Sequence, residues 1–284
     1  MSTPTWFTDA IAQPYDALEL DVEGARIRYR AWGKPGHPSV VLVHGGAANA
    51  AWWDHVAPFL AADHRVMAID LSGHGSSGRR ESYSLDTWSE EALAVAHHES
   101  DSRPIIIGHS MGGFVALTAA HHHGADMRGV AAIDSPVREM SPEARTWLAK
   151  NSTLPPHKIR PDRETILARF KTLPDDEGLE YIRRHIAEQS IRELEGGWTW
   201  KFDPQIFLNS QMEPEDLASA ECEVALVRGE RGMATTDITS SVAEILGGHV
   251  PVTLVPDAGH HIMLDQPIAL IALLQTLLGQ WRMP

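Results

Sequence analysis

Two hydrophobic patterns alternate along the chain. Near its start, Ala17–Val22 and Ala25–Ala31 switch between apolar and polar residues with a period of two, and Glu23-Gly24 separates them. That pattern predicts a hairpin closed by a tight turn. Pro38–Val43 is instead a continuous apolar run, as expected of a strand buried on both faces of a parallel sheet. Further strands are predicted at His64–Asp70, Ile105–Ile107, Gly129–Ile133, Val224–Val227 and Val250–Val255. Helical patterns fall between them: a loop and helix from Trp53 to Leu60, then 85–98, Phe114–Ala120, a stretch near 237–246, and an amphipathic C-terminal helix through Leu278. Regular alternation of this kind implies right-handed crossovers and helices on both faces of a mostly parallel sheet.

From about Pro136 to Met212 the alternation stops. Helical stretches such as Pro142–Leu148 follow one another, separated by Pro155-Pro156, Pro161 and Pro174, with no strong strand signal. We read residues 17–135 and 213–284 as the core and residues 136–212 as an inserted helical cap. The cap ends in an extended stretch, Gly196–Pro204, where Trp198, Trp200 and Phe202 alternate and share one side. Such rings either pack the cap onto the core or line a pocket.

Composition narrows the classes. With 284 residues, 43% hydrophobic and 22% charged, the chain is an ordinary folded protein of one large domain plus insertion. A net charge of −14 without a basic run excludes nucleic acid and anionic membrane surfaces as partners, and disfavours strongly anionic substrates such as acyl-CoA. Cys222 is the one cysteine, so no disulfide framework exists; its apolar neighbours predict a buried, inert thiol. Residues 1–16 lack the basic and apolar regions of a leader, and no apolar run approaches the ~20 residues of a membrane span. The expectation is a cytoplasmic protein acting on a small molecule. Oligomeric state has no signature here.

The chemistry gathers where Ile105–Ile107 breaks into Gly108-His109-Ser110-Met111-Gly112 and good helix formers follow at once. Strand, sharp turn and helix force the serine at the tip toward positive φ, and the residues two before and two after it must be small. Ser110 is thereby held clear of the sheet at a helix N-terminus, where backbone N–H groups favour developing negative charge. It is the candidate nucleophile, and it needs a base such as imidazole to take its proton.

The order of hairpin, His44-Gly45-Gly46 loop, Gly-His-Ser-Met-Gly elbow, inserted segment and Ala258-Gly259-His260 resembles the α/β-hydrolase superfamily from about residue 17 onward. The resemblance implies an eight-stranded, mostly parallel sheet flanked by helices, with the cap over the catalytic edge. It does not imply a substrate. Among 16 histidines, His260 matches the superfamily's late histidine in context and chain order. Its neighbour His261 is the rival base or a pocket residue. His121, His122 and His123 fan out at a helix end as solvated surface rather than a metal site. His44 and His74 are expected to fix their loops, and His109 to pack or line the pocket.

Many relatives place the acid in the loop after the strand at Val224–Val227, three residues past a glycine. Here that loop reads Gly229-Glu230-Arg231-Gly232, so glycine occupies the expected acid position. Haloalkane dehalogenases instead carry the acid after the strand that follows the nucleophile helix, where this chain has Asp134. Asp134 is therefore the chosen acid, ahead of Glu230 and then Asp237, while Asp257 shapes its own turn. The oxyanion donors are expected to be the N–H groups of Met111 and of Gly46 or Ala47.

These parts point first to a serine hydrolase that cleaves a carboxylic ester, lactone or similar acyl bond through an acyl-enzyme. Serine at the nucleophile position argues against dehalogenase and epoxide hydrolase chemistry. Two alternatives use the same fold: carbon–carbon hydrolysis or cofactor-free perhydrolysis by the same triad, and a ligand-binding sensor. None of the hydrolytic readings requires a cofactor or metal. Trp52, Trp53, Trp147, Trp198, Trp200 and Met263 suggest an apolar or aromatic ligand.

Overall fold

The computed structural model describes residues 3–174, 178–217 and 219–281. Ten strands alternate with helices: β1 (Asp16–Val22), β2 (Ala25–Trp32), β3 (Ser39–Val43), β4 (Arg65–Asp70), β5 (Ile105–His109), β6 (Gly129–Ile133), β7 (Ile191–Leu194), β8 (Gly197–Trp200), β9 (Glu223–Gly229) and β10 (Val252–Val255). Eight of them form one sheet in the order β1-β2-β4-β3-β5-β6-β9-β10. β1 runs antiparallel to β2, and β2 antiparallel to β4; every later pairing is parallel. The hairpin turn falls at Glu23 and Gly24, both at positive φ.

The continuous apolar runs are explained by two cores, one on each face. Val41, Val43, Met67, Ile69 and Ile106 point into a cluster with the helices Leu85–Glu99 and Met111–His123. Their neighbours Val40, Leu42, Val66, Ala68, Ile105 and Ile107 point the other way, onto the N-terminal helix Thr5–Ile11 and the C-terminal helix Pro267–Gln280. Since successive strand side chains face opposite sides, a doubly covered strand has no polar position to spare.

Between β6 and β9 lie the helices Pro142–Lys150, Arg163–Leu167 and Glu180–Gln189. The same stretch contains a feature that the sequence pattern conceals, the antiparallel hairpin β7-β8. Its strands are four residues each, too short for alternation to stand out from helical surroundings. The segment is anchored in both cores, through Val137, Ile206 and Met212 on one face and Ile182 and Ile186 on the other. Cys222 is half-buried, and burial pushes its thiol up to about 11, which keeps it protonated and unreactive.

Among the described residues, no helix is long and apolar enough to cross a membrane.

Candidate active site

Because β3, β5, β6, β9 and β10 are parallel, the loops that leave them gather at one edge of the sheet. Those loops carry Gly45-Gly46, Ser110, Asp134, Gly229–Met233 and His260. Ser110 has φ 54° and ψ −120°, a conformation strained for any residue with a Cβ. Packing enforces it. A Cβ on Gly108 would lie 1.9 Å from the Gly112 carbonyl oxygen, and one on Gly112 2.4 Å from that of Val43. The Ser110 N–H donates to Ile133 O at 2.9 Å, and the Asp134 N–H to Val227 O at 2.7 Å. Ser110 and Asp134 thus sit on extensions of neighbouring strands.

The three side chains meet in one line. His260 Nε2 lies 3.0 Å from Ser110 Oγ, and His260 Nδ1 lies 2.6 Å from Asp134 Oδ2. Asp134 is completely buried, and its carboxylate also accepts the Gly229 N–H at 3.1 Å and the Met233 N–H at 2.7 Å. An ionised carboxylate only accepts, so Nδ1 of His260 carries the proton and Nε2 offers its lone pair to the serine hydroxyl. Asp134 adopts φ 44°. That backbone strain is held in place by the three donors around its carboxylate.

The structure also explains the glycine at position 232. A Cβ there would stand 2.0 Å from Asp134 Oδ1. The space at the loop position where the resemblance led us to expect an acid is filled by the Asp134 carboxylate, arriving from β6. Glu230 lies elsewhere: it is exposed and accepts the Asp257 N–H at 2.9 Å. Asp237 is exposed in the first turn of the helix Thr236–Ile245.

Met111 opens the helix Met111–His123, so its N–H has no acceptor within the helix. Gly46 and Ala47 line the same cavity as Ser110 and Met111, and Ala47 has φ 60°. The two stretches expected to stabilise an anion therefore line one cavity together with Ser110.

That cavity holds about 490 Å³. Trp52, Phe114, Phe170, Trp200, Phe202, Phe207 and Met233 give it an apolar wall, and Arg138, Arg169, Lys171 and Gln211 also line it. Of the sequence-derived pocket residues, Ala47, Trp200 and His261 are present and three are not. Trp53 is fully buried in the core, because one residue along the turn Ala50–Trp53 it faces away from Trp52. Trp198 shares a face with Trp200 but sits about 7 Å farther along the strand. There its backbone pairs with that of Arg160 through two hydrogen bonds. His109 is buried behind the serine and ties the elbow to the histidine loop, its Nε2–H donating to His260 O at 2.9 Å. Sequence reasoning missed Phe170, Met233, Arg138 and Arg169, which stand in irregular stretches, and Phe207, in the five-residue 3-10 turn Pro204–Leu208; in neither setting does periodicity mark a side.

The remaining histidines divide by environment. His44 Nδ1 lies 2.8 Å from Gly45 O, and its Nε2 accepts the Leu71 N–H at 3.3 Å. His74 Nδ1 lies 3.2 Å from Ser72 O. His122 and His123, at the helix surface, pair with Asp86 and Glu90. Burial lowers His109 well below the usual imidazole range and His261 to about 3, so both stay neutral beside His260. Nitrogens of His109, His260 and His261 come within 4.8 Å of one another. However, both nitrogens of His260 and Nε2 of His109 already serve hydrogen bonds. A cation there would compete with the Ser110–His260–Asp134 line rather than complete it.

Residues 40–273 match the sequence model of the alpha/beta hydrolase family. The chain is 26% identical over 264 residues to esterase Rv0045c of Mycobacterium tuberculosis (strain ATCC 25618 / H37Rv), covering 90% of this chain and 88% of that protein. It is 26% identical over 233 residues to the pimeloyl-[acyl-carrier protein] methyl ester esterase of Vibrio atlanticus (strain LGP32), covering 78% and 81%. Among solved structures, a thioesterase domain from the curacin biosynthetic pathway superposes with a TM-score of 0.79 at 26% identity, covering 92% of this chain and 99% of that one.

Proposed function

Because the chain belongs to the alpha/beta hydrolase family, we propose that it is a serine hydrolase cleaving a carboxylic ester or similar acyl bond of a small, largely apolar molecule. The observation that carries this reading is the unbroken line Ser110–His260–Asp134, with steps of 3.0 and 2.6 Å, beside a mostly apolar cavity. Similarity to two esterases and a thioesterase domain supports acyl transfer over other chemistries of the fold. We read residues 136–212 as the cap of this site, since Arg138, Phe170, Trp200, Phe202, Phe207 and Gln211 line the cavity from that segment.

In this mechanism His260 Nε2 takes the Ser110 proton as Oγ attacks the acyl carbon, and Asp134 stabilises the resulting imidazolium. The N–H groups of Met111 and of Gly46 or Ala47 receive the oxyanion, each contributing about 10²–10³ in rate. His260 then returns the proton to the leaving alcohol. Water, deprotonated by the same imidazole, releases the acid from Ser110.

A fluorophosphonate probe together with 4-nitrophenyl acetate and butyrate turnover tests the assignment. Ser110→Ala is expected to abolish both labelling and turnover. Asp134→Asn is expected to lower kcat about 10³–10⁴-fold, since the wrong imidazole tautomer then faces the serine, whereas Glu230→Gln keeps most of the activity. A wild-type protein that neither labels nor turns over would sink the hydrolase reading; a steep loss only in Glu230→Gln would move the acid.

A further inference from the structure

The charges around the cavity run against those of the molecule. The sequence has 38 acidic and 24 basic residues, yet the lining among the described residues includes Arg138, Arg169 and Lys171 and no Asp or Glu. The cations come from two separate stretches, one leaving β6 and the other following the helix Arg163–Leu167. All three are exposed, while the apolar wall lies beside Ser110. Among the described residues, neither Arg138 nor Arg169 makes an ion pair. Glu139, next to Arg138, lines a neighbouring groove that also includes Arg138, and not this cavity. Two exposed arginines that pair with no carboxylate among the described residues, lining an apolar cavity in an acidic protein, create a local field that favours an anion.

We propose that the substrate is an anionic amphiphile: an ester with an apolar body and a carboxylate-type group remote from the scissile bond, held by Arg138 and Arg169 at the mouth. This rests on the hydrolase reading above; the expectation that the acidic balance disfavours strongly anionic substrates such as acyl-CoA concerned the overall charge, not the cavity. The overall charge acts weakly at a distance because salt screens it within about 10 Å, so the nearest side chains decide. The anion belongs either to the acyl part or to the alcohol part of the ester, and two probes separate these.

The experiment compares mono-4-nitrophenyl glutarate, with its carboxylate on the acyl side, 4-(butanoyloxy)benzoate, with it on the alcohol side, and neutral 4-nitrophenyl butanoate. kcat/KM is measured for wild type, Arg138→Gln, Arg169→Gln and the double variant, at low and high salt. The ratio of one anionic ester to the neutral ester is expected to fall roughly tenfold in the double variant, and to fall with salt only while the arginines are present. A ratio that the double replacement leaves unchanged for both anionic esters overturns the proposal. Binding supplies a readout independent of turnover: in Ser110→Ala, heptanoate is expected to quench tryptophan fluorescence at lower concentration than methyl heptanoate, and the double arginine replacement to erase that difference. Retained anion preference in binding with no turnover of any ester would overturn the hydrolase reading, and with it the ester substrate, while leaving Arg138 and Arg169 as an anion-binding pair. Turnover without anion preference in either assay would do the reverse.

Discussion

Asp134 and Gly232 form one device at the scale of single residues. The carboxylate occupies the space that a Cβ at 232 would need, 2.0 Å from Oδ1. Gly232→Ala is therefore expected to push the carboxylate off His260 and lower kcat by at least about 10²-fold, comparable to losing an oriented catalytic group. Moving the acid is the stronger test. The double variant Asp134→Gly with Gly232→Asp is expected to recover at least roughly tenfold over Asp134→Gly alone, because the new carboxylate starts where the old one ended. Steady-state kinetics on 4-nitrophenyl butyrate decides it, and a double variant as inactive as the single one would refute the exchange. Residue by residue, the meeting of Ser110, His260 and Asp134 was legible in two ways: small residues around Ser110 mark a sharp turn, whereas His260 and Asp134 were chosen through the superfamily resemblance, the latter because glycine stands at 232. The pocket was less so. Trp52 and Trp53 are adjacent and chemically alike, and only the pitch of a four-residue turn decides which one meets the cavity.

At the scale of elements, His55 joins three parts of the molecule. Its Nε2–H donates to Met263 O at 2.8 Å, and its ring packs against Trp6 and Phe7 of the N-terminal helix. Phe7 in turn meets Tyr181 and His185 of the helix Glu180–Gln189. Burial lowers His55 from 6.5 to about 4; the Met263 carbonyl and Asp54 oppose that shift, and His185 adds slightly to it. Below pH 6.5 the unfolded chain binds a proton that the folded one refuses until about pH 4. The neutral ring's contribution to stability is therefore complete above pH 6.5 and declines as the pH falls toward 4. Between pH 6.5 and 5 the loss from this group is about 2 kcal/mol. Urea unfolding of wild type and His55→Gln at several pH values checks this; the variant's slope near pH 5 is expected to be shallower by about 1 kcal/mol per pH unit. Equal slopes would mean that His55 is not the group responsible. The order of the main elements could be read from hydrophobic periods, because long parallel strands and their helices repeat the same contrast. The β7-β8 hairpin could not, since its inward side chains depend on which neighbour it docks against.

At the scale of the whole molecule, residues 136–212 are continuous with the core rather than mounted upon it. Val137, Ile206 and Met212 enter one hydrophobic cluster and Ile182 and Ile186 the other. Backbone bonds also cross the junction, with the Asp203 N–H donating to Gly73 O at 2.7 Å and the Leu179 N–H to Leu264 O at 2.8 Å. Calorimetry is therefore expected to give a single unfolding transition with equal calorimetric and van't Hoff enthalpies. A separate low-temperature transition would show that the segment folds as an independent unit. Composition alone gave no access to this unity, because the same residues could equally have filled a private core.

The clash between Asp134 and any side chain at 232 also bears on descent. One lineage cannot comfortably hold a carboxylate at both addresses, so a change from one arrangement to the other is not a gradual transfer between two coexisting acids. Related chains should consequently sort into two sequence populations, one with an acid after the sixth strand and glycine in the later loop, the other with the reverse, and few between them.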